Sequence, residues 1–227
     1  MNTPSPYFKK PGYALTFDDG PGPSTSSLLD VLEKWNVKAT FFNLGSNIEF
    51  PTWNSKRKVQ DVLIRLVRDG HILGNHTVTH TKRPKGARSY INEIIHCDKL
   101  IMQIYDAAGV QTPKDIPFRL PYGPRFFETE VDLRLNWITS INRKSSHWTE
   151  IIPDWEKPST DQVEKFFSMM KSHADEQIHH GFNTVFCMHD GAGEFQRKTT
   201  RQNTVGAVNL FLEYAADKKW PSFLVKS

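Results

Sequence analysis

The chain has 227 residues, of which 38% are hydrophobic and 24% charged, with 15 Phe and 6 Trp; this excludes disordered, collagen-like and small disulfide-stapled classes. A formal net charge of +4 is too small for this length to argue for a nucleic-acid partner. Two cysteines, Cys97 and Cys187, cannot build a disulfide framework and read as buried thiols.

The predicted elements alternate along the chain. Met1–Lys10 has no apolar leader core, and no apolar run is long enough to span a bilayer. The expectation is a soluble chain without membrane insertion, cytoplasmic or secreted from a trimmed precursor. After this extension, residues 11–227 read as one domain. Gly12–Phe17 predicts a buried strand that ends at Asp18-Asp19-Gly20-Pro21. Ser24 or Thr25 is placed to cap a helix through Leu28, Leu29, Leu32 and Trp35. A strand at Lys38–Asn43 and a helix at Lys56–Asp69 follow, with Gly70 as its stop. His71–Asn75 predicts a third strand, leaving His76-Thr77-Val78-Thr79-His80 at its carboxyl end. Tyr90–Ala108 is a long helix stopped by Gly109. Ile116–Arg119 reads as a strand, Phe126–Leu133 as a helix and Asn136–Ile141 as another strand. Asn142–Thr160 is irregular and Gln162–Ile178 helical. Thr184–Met188 is a buried strand before His189-Asp190. A helix at Thr200–Ala216 and a strand at Trp220–Val225 close the chain. This alternation predicts parallel βαβ units.

Chemistry-bearing residues recur directly after these strands: Asp18 with Asp19, His76 with His80, Arg119 with Tyr122, and His189 with Asp190. In a parallel sheet or barrel the carboxyl ends share one face, so residues distant in sequence converge there. Two imidazoles and one carboxylate form a common catalytic metal set that leaves positions for water and substrate. The His76-x-x-x-His80 spacing puts both rings on one side if the loop is helical. One of Asp18 and Asp19 completes the triad, and the other is placed to take a proton from water. Imidazole nitrogen with carboxylate oxygen suits Zn²⁺, with Co²⁺ or Ni²⁺ feasible in the same geometry.

These residues resemble the polysaccharide deacetylase family, the NodB-homology or carbohydrate esterase family 4 domain. The resemblance runs from Thr16-Phe17-Asp18-Asp19-Gly20 through His76-Thr77-Val78-Thr79-His80 and Arg119-Leu120-Pro121-Tyr122 to Cys187-Met188-His189. It implies a distorted (β/α) barrel, usually of seven strands. It further implies Asp18 as general base, Asp19, His76 and His80 as metal ligands, and Arg119 as the cation holding the base carboxylate. Tyr122 then assists the oxyanion through its backbone N–H and His189 is the general acid. Asp154 orients His189, and Trp155 forms an aromatic wall for the acetyl group. The implied reaction is metal-dependent removal of N-acetyl groups from a chitin-like or peptidoglycan-like glycan.

The chain departs from the family pattern in places. Ile151 stands where the family has a further Asp, Cys187 where it usually has Leu, and Leu120 where Pro is more frequent. Two other functions therefore stay open: hydrolysis of another linear amide or formamide, and a glycan-binding module without activity. His71 reads as structural. His173, His179 and His180 read as a helix end with a favourable charge rather than a second metal site. Lys82, Arg83, Lys85 and Arg88 form either a solvated loop or a glycan-contacting rim. His147 and Trp148 are either an exposed loop or a substrate contact. Asn75-His76-Thr77 matches a glycosylation pattern that would crowd the metal.

Overall fold

The fold is that of a computed structural model, which describes residues 10–82, 84–124, 126–127, 130–156, 161–192 and 200–226. The expected extension at 1–10 lies outside these residues except for Lys10, and Arg83 of the basic run also lies outside. The elements in chain order are β1 (Tyr13–Gly20), α1 (Thr25–Lys34), β2 (Thr40–Asn43), α2 (Gly45–Glu49), α3 (Lys56–Arg68), β3 (Ile72–Asn75) and α4 (Ala87–Ala108). Then come β4 (Phe126–Phe127), β5 (Glu130–Val131), α5 (Leu133–Ser140), β6 (Glu150–Ile151), α6 (Gln162–His179), β7 (Thr184–His189) and α7 (Gln202–Asp217). Among the described residues no helix is long and apolar enough to cross a membrane.

The parallel sheet runs β3-β2-β1-β7-β6. Side chains alternate across it. On β1, Tyr13, Leu15 and Phe17 join Phe41, Leu73, Phe186 and Met188 against the helices. Thr16 and Asp18 point to the opposite face, where the Arg119 guanidinium donates to both. The sheet also curls onto itself. Beyond β3, the Asn75 N–H donates to the Pro117 carbonyl (2.7 Å) and the Arg119 N–H to the Asn75 carbonyl (3.0 Å). The Ser146 N–H then donates to Phe118 (2.7 Å) and the Thr149 N–H to Val185 of β7 (2.9 Å), closing a ring around Arg119.

This is the expected distorted barrel, and among the described residues its sheet has five strands rather than the seven that the resemblance implies. Five strands form the sheet, and the predicted strand at Ile116–Arg119 contributes only a bridge between Asn75 and Phe118. Pro117 has no N–H to donate, which limits pairing there. The segment expected to be irregular supplies β6 and the closing bonds.

Two predicted elements exchange character. The Phe126–Leu133 helix is replaced by the antiparallel pair β4–β5, and the Asn136–Ile141 strand lies largely within helix α5. The Asp132 side chain caps that helix, accepting from the Arg134 N–H at 3.1 Å. Leu135, Ile138 and Ile141 recur at helical spacing against Tyr90, Phe118 and Leu120, and this tertiary burial outweighs their β propensity. Similarly, Ser24 makes no side-chain cap on α1. Its hydroxyl accepts from the Arg201 N–H, while Thr25 donates to Asp190 (2.6 Å). The closing strand expected at Trp220–Val225 is a single bridge from Ser222 to Tyr13.

Phe41 is fully buried, 5.0 Å from the Phe17 ring and edge-on to His71. Phe41→Ala is expected to cost about 3–5 kcal/mol through lost burial and a residual cavity. Denaturant unfolding measures this, and a loss below about 1 kcal/mol would contradict a tightly packed core at this strand.

Candidate functional site

The alternation of β1 delivers Asp18 to the ring interior, in register with His189 of β7. Asp19 leaves that pattern. Its φ of 65° is uncommon for a non-glycine residue and swings the carboxylate toward the β3 end. Asp19 Oδ1 lies 3.6 Å from His76 Nε2 and 3.2 Å from His80 Nε2. This oxygen is buried without a hydrogen-bond partner. Such a group is costly unless a cation or donor completes it.

The two imidazoles are presented as ligands. His76 Nδ1 meets the Arg119 carbonyl at 2.8 Å, so that nitrogen carries the proton and Nε2 keeps its lone pair toward Asp19. Burial holds the His80 pKa down to about 4 against the pull of Asp19, which keeps the ring neutral as ligation demands. The loop carrying them is not helical, so the condition under which the spacing alone would pair the rings is not met. Thr77 and His80 adopt φ values of 67° and 56°. Asn75 Oδ1 accepts from the Thr77 N–H (2.8 Å), and Thr77 Oγ1 accepts from the His80 N–H (3.2 Å). The Asn75 amide is buried on Asp98 and the Ile94 carbonyl, so the glycosylation pattern offers no accessible acceptor. Asp19, His76 and His80 form the one cluster suited to a metal among the described residues. The orphan oxygen, the oriented Nε2 and the mixed N and O donors all fit a divalent ion.

Arg119 fills the ring. It is fully buried, with Nη1 donating to Asp18 Oδ1 at 2.8 Å and to Thr16 Oγ1 at 2.7 Å. Phe42 and Trp148 flank the guanidinium at 4.2 and 5.3 Å. Burial alone would raise the Asp18 pKa, but Arg119, with His76 and His189, lowers it below the usual carboxylate value. The second oxygen, Oδ2, lies 3.5 Å from Cys187 Sγ.

Opposite Asp18, His189 Nδ1 meets Asp154 Oδ1 at 2.6 Å. Asp154 Oδ2 accepts from the His189 N–H (2.9 Å) and Thr204 Oγ1 (2.8 Å). Burial would discharge the imidazole, yet the Asp154 charge and hydrogen bond outweigh it and push the pKa up to about 9. The Trp155 ring stands edge-on to His189 at 5.4 Å and is 46% exposed. Tyr122 packs on His80 at 4.4 Å and is 53% exposed. Asp18, Asp19, His76, His80, Tyr122, Trp155 and His189 line one cavity of about 820 Å³ with Trp148 and Lys82, and Arg119 and Asp154 lie behind its wall. Every site residue expected from the sequence is thus at or directly behind this cavity.

Two participants escaped sequence reasoning. Thr204 supports Asp154, and Arg201 donates to the Asp154 carbonyl (3.1 Å) and the Gly191 carbonyl (3.2 Å). Arg201 occupies the N-cap position of α7 without a side-chain cap, a place where a cation is unfavourable, and that misplacement is the signal that its side chain is used elsewhere. Several of the other histidines have structural partners, among them His180, whose Nδ1 meets the Glu176 carbonyl at 2.8 Å. His71 Nδ1 accepts from the Ala39 N–H, His96 pairs with Glu49, and His173 pairs with Glu150. Cys97 and Cys187 are free and buried.

A family profile described as polysaccharide deacetylase matches residues 6–133. A peptidoglycan-N-acetylglucosamine deacetylase of Bacillus cereus is 35% identical over 158 residues, covering 69% of this chain and 50% of that protein. A chitooligosaccharide deacetylase of Sinorhizobium fredii is 27% identical over 224 residues, 96% of this chain and 90% of its own length. Among solved structures, a family 4 carbohydrate esterase from Streptomyces lividans in complex with acetate superimposes with a TM-score of 0.68 at 27% identity. That alignment covers 95% of this chain and 93% of the esterase. The chain therefore spans half the length of the first relative and nearly all of the other two.

Proposed function

The chain belongs to the polysaccharide deacetylase family, and from that premise we propose that it is a metal-dependent hydrolase removing N-acetyl groups from an aminosugar oligomer or polymer. The observation that carries the reading is the Asp19, His76 and His80 cluster between a carboxylate held by Arg119 and an imidazole held by Asp154. Asp19, His76 and His80 would hold one divalent ion, Zn²⁺ by its donor set, with Co²⁺ or Ni²⁺ also suited. When bound, such an ion supplies Lewis-acid polarisation of the amide carbonyl and acidification of water.

The chain's own residues do the rest. Asp18 is the general base: its low pKa keeps it ionised at neutral pH, and Arg119 fixes one oxygen so that the other faces the cavity. Tyr122 helps hold the developing oxyanion. His189, protonated below about 9, gives its proton to the departing nitrogen, and Asp154 keeps the ring oriented. The exposed Tyr122 and Trp155 flank the site as stacking surfaces for sugar rings. They favour a glycan over a small linear amide, which would need a closed pocket. Acetate release from chitin oligomers and peptidoglycan fragments, compared with small amides and formamides, tests the reading. Acetate from the glycans supports it. Turnover of small amides alone would replace it, and glycan binding without any metal-stimulated release would make the chain a binding module.

The acid has a pH signature. Its raised pKa means that His189 is charged through the neutral range and loses its proton near pH 9, so turnover is expected to fall as pH rises through about 9. Asp154→Asn removes the compensating charge, leaving burial to lower the pKa. The alkaline limb of the rate profile should then move to lower pH, and an unmoved limb would remove His189 from the acid role.

A further inference from the structure

Three arginines are buried among the described residues, and two of them have a carboxylate partner: Arg119 pairs with Asp18 and Arg134 with Asp132. Arg201 is 5% exposed and makes no ion pair with a described residue. Its Nη1 donates to the Asp154 carbonyl at 3.1 Å and its Nε to the Gly191 carbonyl at 3.2 Å. Carbonyl oxygens orient a guanidinium but do not neutralise it. The Asp154 carboxylate is spent elsewhere, one oxygen on His189 Nδ1 and the other on the His189 N–H and Thr204. A buried charge without a counter-charge is costly. Nη2 bonds to no described residue and is not sealed within the protein; it opens on the cavity whose wall Arg201 forms in part.

Arg201 stands at the acid end of this cavity, since it holds the carbonyl next to Trp155 and the carbonyl two residues beyond His189. Lys82 and Tyr122 stand at the His80 end. With the amide nitrogen of the substrate toward His189, the groups nearest that nitrogen are those on the two neighbouring ring carbons. One of these carbons bears the glycosidic linkage, and the other bears an oxygen free to carry a substituent. We infer that Arg201 is a specificity-determining residue, and that the chain prefers an aminosugar whose oxygen next to the acetamido group carries a carboxylate, as the lactyl ether of muramic acid does. The inference rests on the deacetylase reading above and narrows its substrate class from neutral, chitin-like glycans to carboxylated, peptidoglycan-like ones. The carboxylate accepts from Nη2 in a charge-assisted bond and supplies the missing counter-charge. Lys82 is exposed and keeps its ammonium in water, so its share in the preference is small.

The test uses β-1,4-linked oligomers of alternating N-acetylglucosamine and N-acetylmuramic acid, and the same oligomers with the lactyl carboxylate reduced to the alcohol. Acetate release gives kcat/KM, and mass spectrometry of the products locates the freed amine. The wild type is expected to favour the carboxylate oligomer by roughly 10- to 150-fold, the range of a hydrogen bond to a charged group, and to free the amine on the lactyl-bearing sugar. Arg201→Gln is expected to bring the carboxylate-to-alcohol ratio to about one, and Arg201→Lys to retain part of the preference. Arg201 also steadies Asp154, so both variants are expected to lose turnover on both oligomers, and the ratio cancels that shared loss. Lys82→Ala should change the ratio by less than about twofold. A wild-type ratio near one, a ratio unmoved in Arg201→Gln, or one lost equally in Lys82→Ala overturns the inference and leaves the deacetylase reading standing. So does a freed amine found only on the unsubstituted sugar. Acetate release from neither oligomer nor from chitin oligomers overturns both. Should Arg201→Gln not fold, Arg201→Lys and the wild-type ratio decide.

Discussion

Asp18→Asn is expected to lower deacetylase turnover by roughly 10²- to 10⁴-fold, the contribution of a positioned general base, while metal content stays at the wild-type level. The side chain touches Arg119 and Cys187 rather than completing the His76 and His80 set, whose carboxylate is Asp19. Asparagine preserves shape but cannot accept a proton from water. It also leaves the Arg119 guanidinium, fully buried, without its counter-charge, so a stability loss should accompany the kinetic one. The two effects separate by assay: turnover is measured well below the melting temperature, and unfolding by denaturant titration. Full turnover in a folded, metal-loaded Asp18→Asn protein would remove Asp18 from the role of base.

His80→Ala is expected to act on the other half of the site, taking metal binding and activity away together. Its ring is one of three donors brought within 4.8 Å of one another. Losing it leaves a single imidazole and a carboxylate, too few protein ligands for tight divalent binding in a catalytic site. After dialysis, metal analysis should fall from about one ion per chain to near zero, and added Zn²⁺ should restore little turnover. His189→Ala is the control. Its ring is committed to Asp154, so metal content should stay at the wild-type level while turnover falls by roughly 10²- to 10⁴-fold as the proton donor is lost. Normal metal content in His80→Ala, or metal loss in His189→Ala, would contradict this division between ligand and acid.

The catalytic face was legible in the chain because its residues sit at strand ends, and a parallel arrangement sends every carboxyl end to the same side. Asp18, Asp19, His76, His80, Arg119 and His189 were identifiable from that rule and from the motifs that carry the family resemblance. Asp154 and Trp155 were identifiable from resemblance alone, since the chain around them lacks a periodic signal. β1 and β7 were also legible as buried strands, whereas which face of each meets the helices is seen only in the fold.

What local pattern could not decide was decided by contacts distant in sequence. The imidazoles converge through left-handed residues at Thr77 and His80, held by Asn75 and Thr77 side chains, where spacing alone would have paired them only in a helical turn. Leu133–Ser140 is a helix because Ile138 packs beside Tyr90 and Phe118, a burial that propensity does not register. Ring closure depends on the Ser146 and Thr149 N–H groups finding Phe118 and Val185, bonds with no signature in the segment that makes them. The roles of Arg201 and Thr204 behind Asp154, and the placement of Cys187 against Asp18, follow from that closure. Sequence periodicity reports which face of an element is apolar, whereas these contacts depend on how the elements meet, and only the folded ring brings those partners within bonding distance.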